Sequence, residues 1–165
     1  MSAHSGQELV ERYLAAYKAG DLQAMEACMD PEFTFSDPAF PHLDTKHAKG
    51  MFAMFINNRD TNKMEVEYTD IKKGTNDLTY TATYTVKYLF AGRPVTNVIR
   101  PTFTISPTTN LLLTQVDDFP FYPWARQALG LPGLLLGWSG YLQGKVQQTA
   151  GSRLEHSMKK AETTQ

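Results

Sequence analysis

From Lys63 onward the apolar residues of this chain leave helical spacing and the period changes to two. Met64-Glu65-Val66-Glu67-Tyr68 alternates, so do Leu78 to Phe90 and Val95 to Ile105, and a last run covers Leu111 to Phe119. A period of two belongs to strands with one buried face. Asn76-Asp77 and Ala91-Gly92 stand where hairpin turns are needed, and Ser106-Pro107 breaks the pattern before the last run. Strands joined by such short links form an antiparallel meander, because parallel neighbours need a crossover of about a dozen residues or more.

Before Lys63 the spacing is helical. Leu9, Val10, Tyr13, Leu14 and Tyr17 share one side of a helix expected over Gln7 to Gly20. Asp21 suits the cap of a second helix, Leu22 to Met29, which Asp30-Pro31 ends. Phe33-Thr34-Phe35-Ser36 reads as a strand stopped by Asp37-Pro38. Asp44 then caps a third helix, Thr45 to Asn57, with Met51, Phe52, Met54 and Phe55 as its apolar face. Three helices against one face of a meander make the fold class α+β.

Charge excludes several functions. Sixteen basic residues against 17 acidic ones give a net charge of -1, so nucleic acid is not an expected partner. Cys28 is the single cysteine, and no Cys/His spacing fits a metal site. There is no Ser/His/Asp or Cys/His set and no glycine-rich phosphate loop, so no cofactor is expected. Met1 to Gly6 has neither a basic nor an apolar leader segment, which reads as cytoplasmic.

Val10-Glu11-Arg12-Tyr13-Leu14-Ala15-Ala16-Tyr17, Ala19-Gly20-Asp21-Leu22 and Phe35-Ser36-Asp37-Pro38 carry a resemblance. Over about residues 7 to 125 the chain resembles the nuclear transport factor 2-like superfamily, and its opening is similar to that of bacterial ketosteroid isomerases. The resemblance implies a cone: a curved antiparallel sheet and three N-terminal helices enclosing a cavity. It puts an oxygen-binding tyrosine at Tyr13 and a proton-moving carboxylate at Asp37. The isomerases' second, protonated acid falls on or beside Pro101, which has no donor. Losing such a donor costs on the order of 10²–10³ in rate, which argues against steroid isomerisation. Asn97-Val98-Ile99-Arg100, Asp117-Asp118-Phe119 and Trp124-Ala125-Arg126 resemble the SnoaL-like group, which includes polyketide cyclases. That likeness implies an acid/base carboxylate at Asp117 or Asp118, while Gln115 and Val116 stand where a cyclase histidine is sought.

The residues also have plainer readings. Asp37 could simply cap the turn before Pro38, and Tyr13 could be a core tyrosine. Asp117 and Asp118 are neighbours on a strand and must face opposite sides, with parity leaving open which is inside. The expected ligand-binding residues are Tyr17, Phe35, Phe55, Tyr84, Asn97, Arg100 and Trp124, with Phe33 and Phe52 in the aromatic lining. Arg100 would bind a carboxylate ligand or pair with one of the acids, or sit at a rim or subunit contact. His42 and His47 flank the start of the third helix, where histidines are usually solvated.

The cone domain is expected over residues 7–122, a helical extension over 123–150 and a flexible tail over 151–165. Trp124 to Gln148 reads as one or two helices broken at Leu131-Pro132; Gly130, Gly133, Gly137, Gly140 and Gly144 would line one side of a helix, and no charge occurs between Arg126 and Lys145. Close packing at a homodimer interface or over the cavity is the favoured reading. Membrane contact through this segment, or a broken helix covering the domain's own sheet, are alternatives.

The resulting expectation is a protein that binds a small hydrophobic molecule, possessing an isomerase, cyclase or epoxide-hydrolase-like acid–base activity without cofactor. The rival is a non-catalytic ligand-binding or dimerisation domain.

Overall fold

The computed structural model describes residues 3–164. Met1 and Ser2 of the N-terminal stretch, and Gln165 of the expected tail, lie outside the described residues. Helix α1 spans Ala3–Ala19 and starts a turn earlier than its apolar stripe, and α2 spans Leu22–Glu26 under an Asp21 cap that accepts from the Ala24 amide. Strand β1, Met29–Ser36, already includes Asp30 and Pro31, so the expected second helix ends three residues short of Met29. Helix α3 occupies Thr45–Asn57 as its cap predicts, with Asp44 Oδ1 accepting from the His47 amide at 2.9 Å.

The alternating runs become β2 (Glu65–Lys73), β3 (Thr79–Phe90), β4 (Arg93–Ile105) and β5 (Leu112–Asp118). Ala91 and Gly92 both take positive φ, 48° and 79°, the geometry that two-residue hairpins require. Strand order is β1-β5-β4-β3-β2 in one curved, unclosed sheet. The expectation of a wholly antiparallel sheet needs one correction, because β1 joins β5 in parallel through Phe35↔Gln115 and its neighbours. Those strands lie far apart in sequence, so no short turn dictates their direction.

Helix α1 lies across β2 and β3, and α3 packs on β1. Between helices and sheet sit Tyr13, Leu14, Phe33, Phe52, Phe103 and Leu112, all at most 1% exposed. The C-terminal segment forms α4 (Phe121–Leu129), α5 (Leu131–Leu136) and α6 (Gly140–Thr163).

Two expectations about that segment are corrected. The five glycines do not share one helix: Gly130 (φ +65°) links α4 to α5, and Gly137 ends α5. Gly133 is where contact is closest, since a Cβ there would stand 1.9 Å from the Ala125 carbonyl oxygen, whereas Gly140 and Gly144 face open space. The close approach is therefore α5 on α4 of the same chain. Residues expected to form a loose tail continue α6 through Thr163. Leu154 is buried, Met158 lies against Gly50, and Glu155 Oε1 sits 2.7 Å from His47 Nε2, which ties this helix to α3.

Candidate active site

Polar residues invert the in–out pattern on two adjacent strands. On β4, Asn97 faces inward while Val98 is 40% exposed; on β5, Gln115 and Asp117 face inward while Val116 is 49% exposed. Burying polar groups in place of valines costs stability unless they are hydrogen-bonded, so the inversion marks a working surface.

Asp117 resolves the ambiguity between the two neighbouring acids. It is 4% exposed, whereas Asp118 lies on the outer face opposite Arg100, which is itself exposed. Asp118 and Arg100 therefore stand apart from the interior constellation. Asp117 Oδ2 accepts from the Tyr84 hydroxyl, and Oδ1 accepts from Gln115 Nε2 at 2.9 Å. The Gln115 carbonyl in turn accepts from the Tyr13 hydroxyl at 2.6 Å. Tyr13 thus reaches the acid on β5 through Gln115, and its proton is already engaged. Burial pushes the Asp117 carboxyl up to about 7 against the Tyr84 and Gln115 hydrogen bonds, with the charge of Asp37 adding to the rise. Its cross-strand partner is Pro101, the position that lacks a second acid on β4.

Asp37 combines both of its sequence readings. Its Oδ1 accepts from the backbone amides of Ala39 at 2.7 Å and Phe40 at 2.6 Å, as a turn aspartate does. Its Oδ2 has no hydrogen-bond partner among the described residues. Desolvation lifts this carboxyl to about 6, opposed by the two amides.

Three tyrosines surround the acids. Tyr17 comes from α1, and Tyr84 and Tyr88 come from one face of β3. Burial first, then nearby charge including Asp117 and Asp37, holds the Tyr17 and Tyr84 phenols above their ordinary value. Tyr88 is raised by burial and also feels Asp37. All three are therefore neutral O–H groups near pH 7. The Tyr88 oxygen accepts from Trp124 Nε1 at 2.7 Å, so its own proton is free to point at a third group. The Tyr17 hydroxyl makes no hydrogen bond to any described residue, and its ring packs edge-on to Phe52 and Tyr84.

Phe35 packs on Phe52 deep in the core, and Phe55 meets Phe40 in a partly buried position. Asn97 and Trp124 are inward, at 8% and 7% exposure. His42 is exposed, and His47 bridges Asp44 and Glu155 away from the acids. Sequence reasoning passed over Tyr88 and gave Gln115 no role. Parity with Tyr84 would have found Tyr88, whereas Gln115 shares the face of Asp117, which parity left open. No group of three metal-ligating side chains occurs among the described residues.

A family profile described as the SnoaL-like domain matches residues 10–106. No curated protein matches the chain. Among solved structures, a candidate polyketide cyclase from Pseudomonas putida KT2440 is 21% identical with a TM-score of 0.59, covering 78% of this chain and 98% of its own. An LEH-like epoxide hydrolase from M. tuberculosis is 16% identical with a TM-score of 0.59, covering 81% of this chain and 96% of its own. SalBIII, described as an epoxide hydrolase/cyclase-like enzyme in pyran ring formation in polyether salinomycin, is 15% identical with a TM-score of 0.58. It covers 70% of this chain and 91% of its own. At these identities the likeness is one of fold.

Proposed function

The chain belongs to the SnoaL-like domain family, and from that premise we propose that it is an acid–base enzyme for a small hydrophobic substrate bearing a carbonyl or epoxide oxygen. The observation that carries this reading is the convergence of two carboxyls, half-buried Asp37 and buried Asp117, on Tyr17 and Tyr84, with burial raising Asp37 to about 6 and Asp117 to about 7. Two acids that feel each other lose their protons in turn, so between those values one is a base while the other keeps its proton.

Asp37 is the base. Its Oδ2 is uncommitted while two backbone amides fix Oδ1, which aims the free oxygen without neutralising it. It would take a proton from a carbon beside a carbonyl, or from the water that opens an epoxide. The hydroxyls of Tyr17 and Tyr88 would donate to the oxygen on which charge develops. In its acid form Asp117 would carry the proton on Oδ2 and donate it to the Tyr84 oxygen, the reverse of the bond its carboxylate accepts, while Gln115 fixes the carboxyl plane and Tyr13 fixes Gln115. Isomerisation, cyclisation and epoxide hydration all need this combination of one base and several neutral donors. The descriptions of the structural neighbours as cyclase and epoxide-hydrolase-like proteins support the last two.

The test is turnover of a panel of enolisable ketones and epoxides across pH. The expected profile is bell-shaped, rising as Asp37 ionises near 6 and falling as Asp117 ionises near 7. Asp37→Asn should lose about 10²–10⁴ in kcat while ligand still binds. Unchanged turnover in that variant would sink the role of Asp37. Binding without turnover in the wild type would favour the rival reading, a ligand-binding domain whose interior rings pack on one another.

A further inference from the structure

Of the eight large hydrophobic residues exposed among the described residues, six fall within positions 131–141. Leu131, Leu134, Leu135 and Leu136 come from α5, and Trp138 and Tyr141 follow at 75% and 69% exposure. A cleft of about 560 Å³ beside them brings Arg93 and Arg126 against Leu131 and Leu134, with no acidic residue in its lining. Between Asp118 and Glu155 the sequence has no acid at all but carries Arg126, Lys145 and Arg153, although the whole chain has a net charge of -1. Lys145 stands over the Tyr141 ring, and Arg126 over the Tyr122 ring.

We propose that this face of α5 and the turn after it dock on an anionic phospholipid bilayer. The apolar residues would enter the interface while the cations meet lipid phosphates. Entering that layer requires that local polar groups be satisfied internally. Several are: the Trp138 indole donates to the Leu135 carbonyl at 2.8 Å, and the Ser139 hydroxyl to Leu136 at 2.6 Å. The amides of Leu134 and Gly137 bond back to Gly130 and Gly133. The contact is peripheral, since no described helix is long and apolar enough to cross a membrane. A second copy of the chain fits less well, because a two-fold contact sets this face against itself and the cleft lining has no acid to meet Arg93 and Arg126.

The test uses the intact protein in co-sedimentation with phosphatidylcholine vesicles, with and without phosphatidylglycerol. Binding is expected only with phosphatidylglycerol, weakening as salt rises. Leu135→Glu should cut partitioning at least about tenfold, and Arg126→Gln about fivefold. Brominated lipid should quench the emission component that Trp138→Phe removes, a readout that does not depend on the charge variant. Absence of wild-type binding, or binding indifferent to Leu135→Glu, overturns the proposal. So does a dimer in sedimentation equilibrium that Leu135→Glu splits while vesicles stay unbound, which would assign the face to a second copy. The inference does not depend on the acid–base reading and stands or falls separately from it.

Discussion

The cone interior and the C-terminal extension use the same large side chains in opposite ways. Inside, Phe52 is 1% exposed and meets Tyr13, Tyr17 and Phe35 edge-on, so every ring face has a protein partner. Outside, Trp138 is 75% exposed and its only described polar tie is to Leu135 in the preceding turn. The contrast shows that hydrophobicity alone does not place a residue. The interior rings are fixed by alternation on strands whose other face is solvated, while α5 has no sheet face left to cover. The interior should therefore hold the fold together and the α5 face should not.

Truncating one ring in each region should separate the two. Phe52→Ala should cost about 3–5 kcal/mol, because it removes buried area and leaves a cavity among rings that cannot collapse. Trp138→Ala removes a larger ring yet should stay within about 0.5 kcal/mol, as exposed substitutions do. Urea unfolding midpoints at constant m-value measure both. Equal losses would mean that α5 packs on something that contributes to folding.

Much of this layout was legible in the sequence, and the failures have physical causes. The period change after Lys63, the Asp44 cap and the Ala91-Gly92 turn are local signals, and each maps onto an observed element. Parallel pairing of β1 with β5 is not local, so no run of residues encoded it. The parity of β5 stayed ambiguous because polar Gln115 and Asp117 occupy the inner face and Val116 the outer one. A half-buried strand normally shows the reverse, and the rule failed at the candidate site itself. Asp37 and Tyr13 were readable as interior residues, but the link between Tyr13 and Asp117 through Gln115 depends on a side-chain geometry that spacing does not contain. The glycines of the extension suggested one striped helix because periodicity cannot see the break between α5 and α6.

A second comparison separates the interior's rings from its carboxyl. Rings stabilise at every pH, but Asp117 should not. Its ordinary value is 3.8 and its folded value about 7, so between these the folded state holds a proton that the unfolded chain has released. Stability from this group is thus complete below about 4, declines as pH rises through about 7, and is flat beyond. Asp117→Asn removes the burden of a buried charge while keeping the shape. At pH 8 the variant should be more stable by about 2 kcal/mol, the gain limited by the acceptor that Tyr84 loses. At pH 4 it should be no more stable than wild type. A uniform shift at both pH values would mean that Asp117 is not the group responsible.

The smallest effect is expected where the two regions touch. Gln143 and Gln147, one turn apart on α6, both donate to the Pro38 carbonyl, at 3.2 and 3.1 Å. That carbonyl opens the loop whose amides hold Asp37 Oδ1. The extension therefore straps down the segment that carries the candidate base and helps to keep water from it. Replacing both glutamines with alanine should cost only about 1 kcal/mol in unfolding, since neutral hydrogen bonds near the surface are worth little net. Its consequence for the site should be larger than its consequence for the fold. Desolvation is the first cause lifting Asp37 to about 6, so a loop open to water lets that value fall toward 3.8. The acid limb of the pH–activity profile should move down accordingly, while the limb set by Asp117 near 7 stays in place. Movement of both limbs together would mean that α6 stabilises the whole cone and does not act on Asp37 in particular.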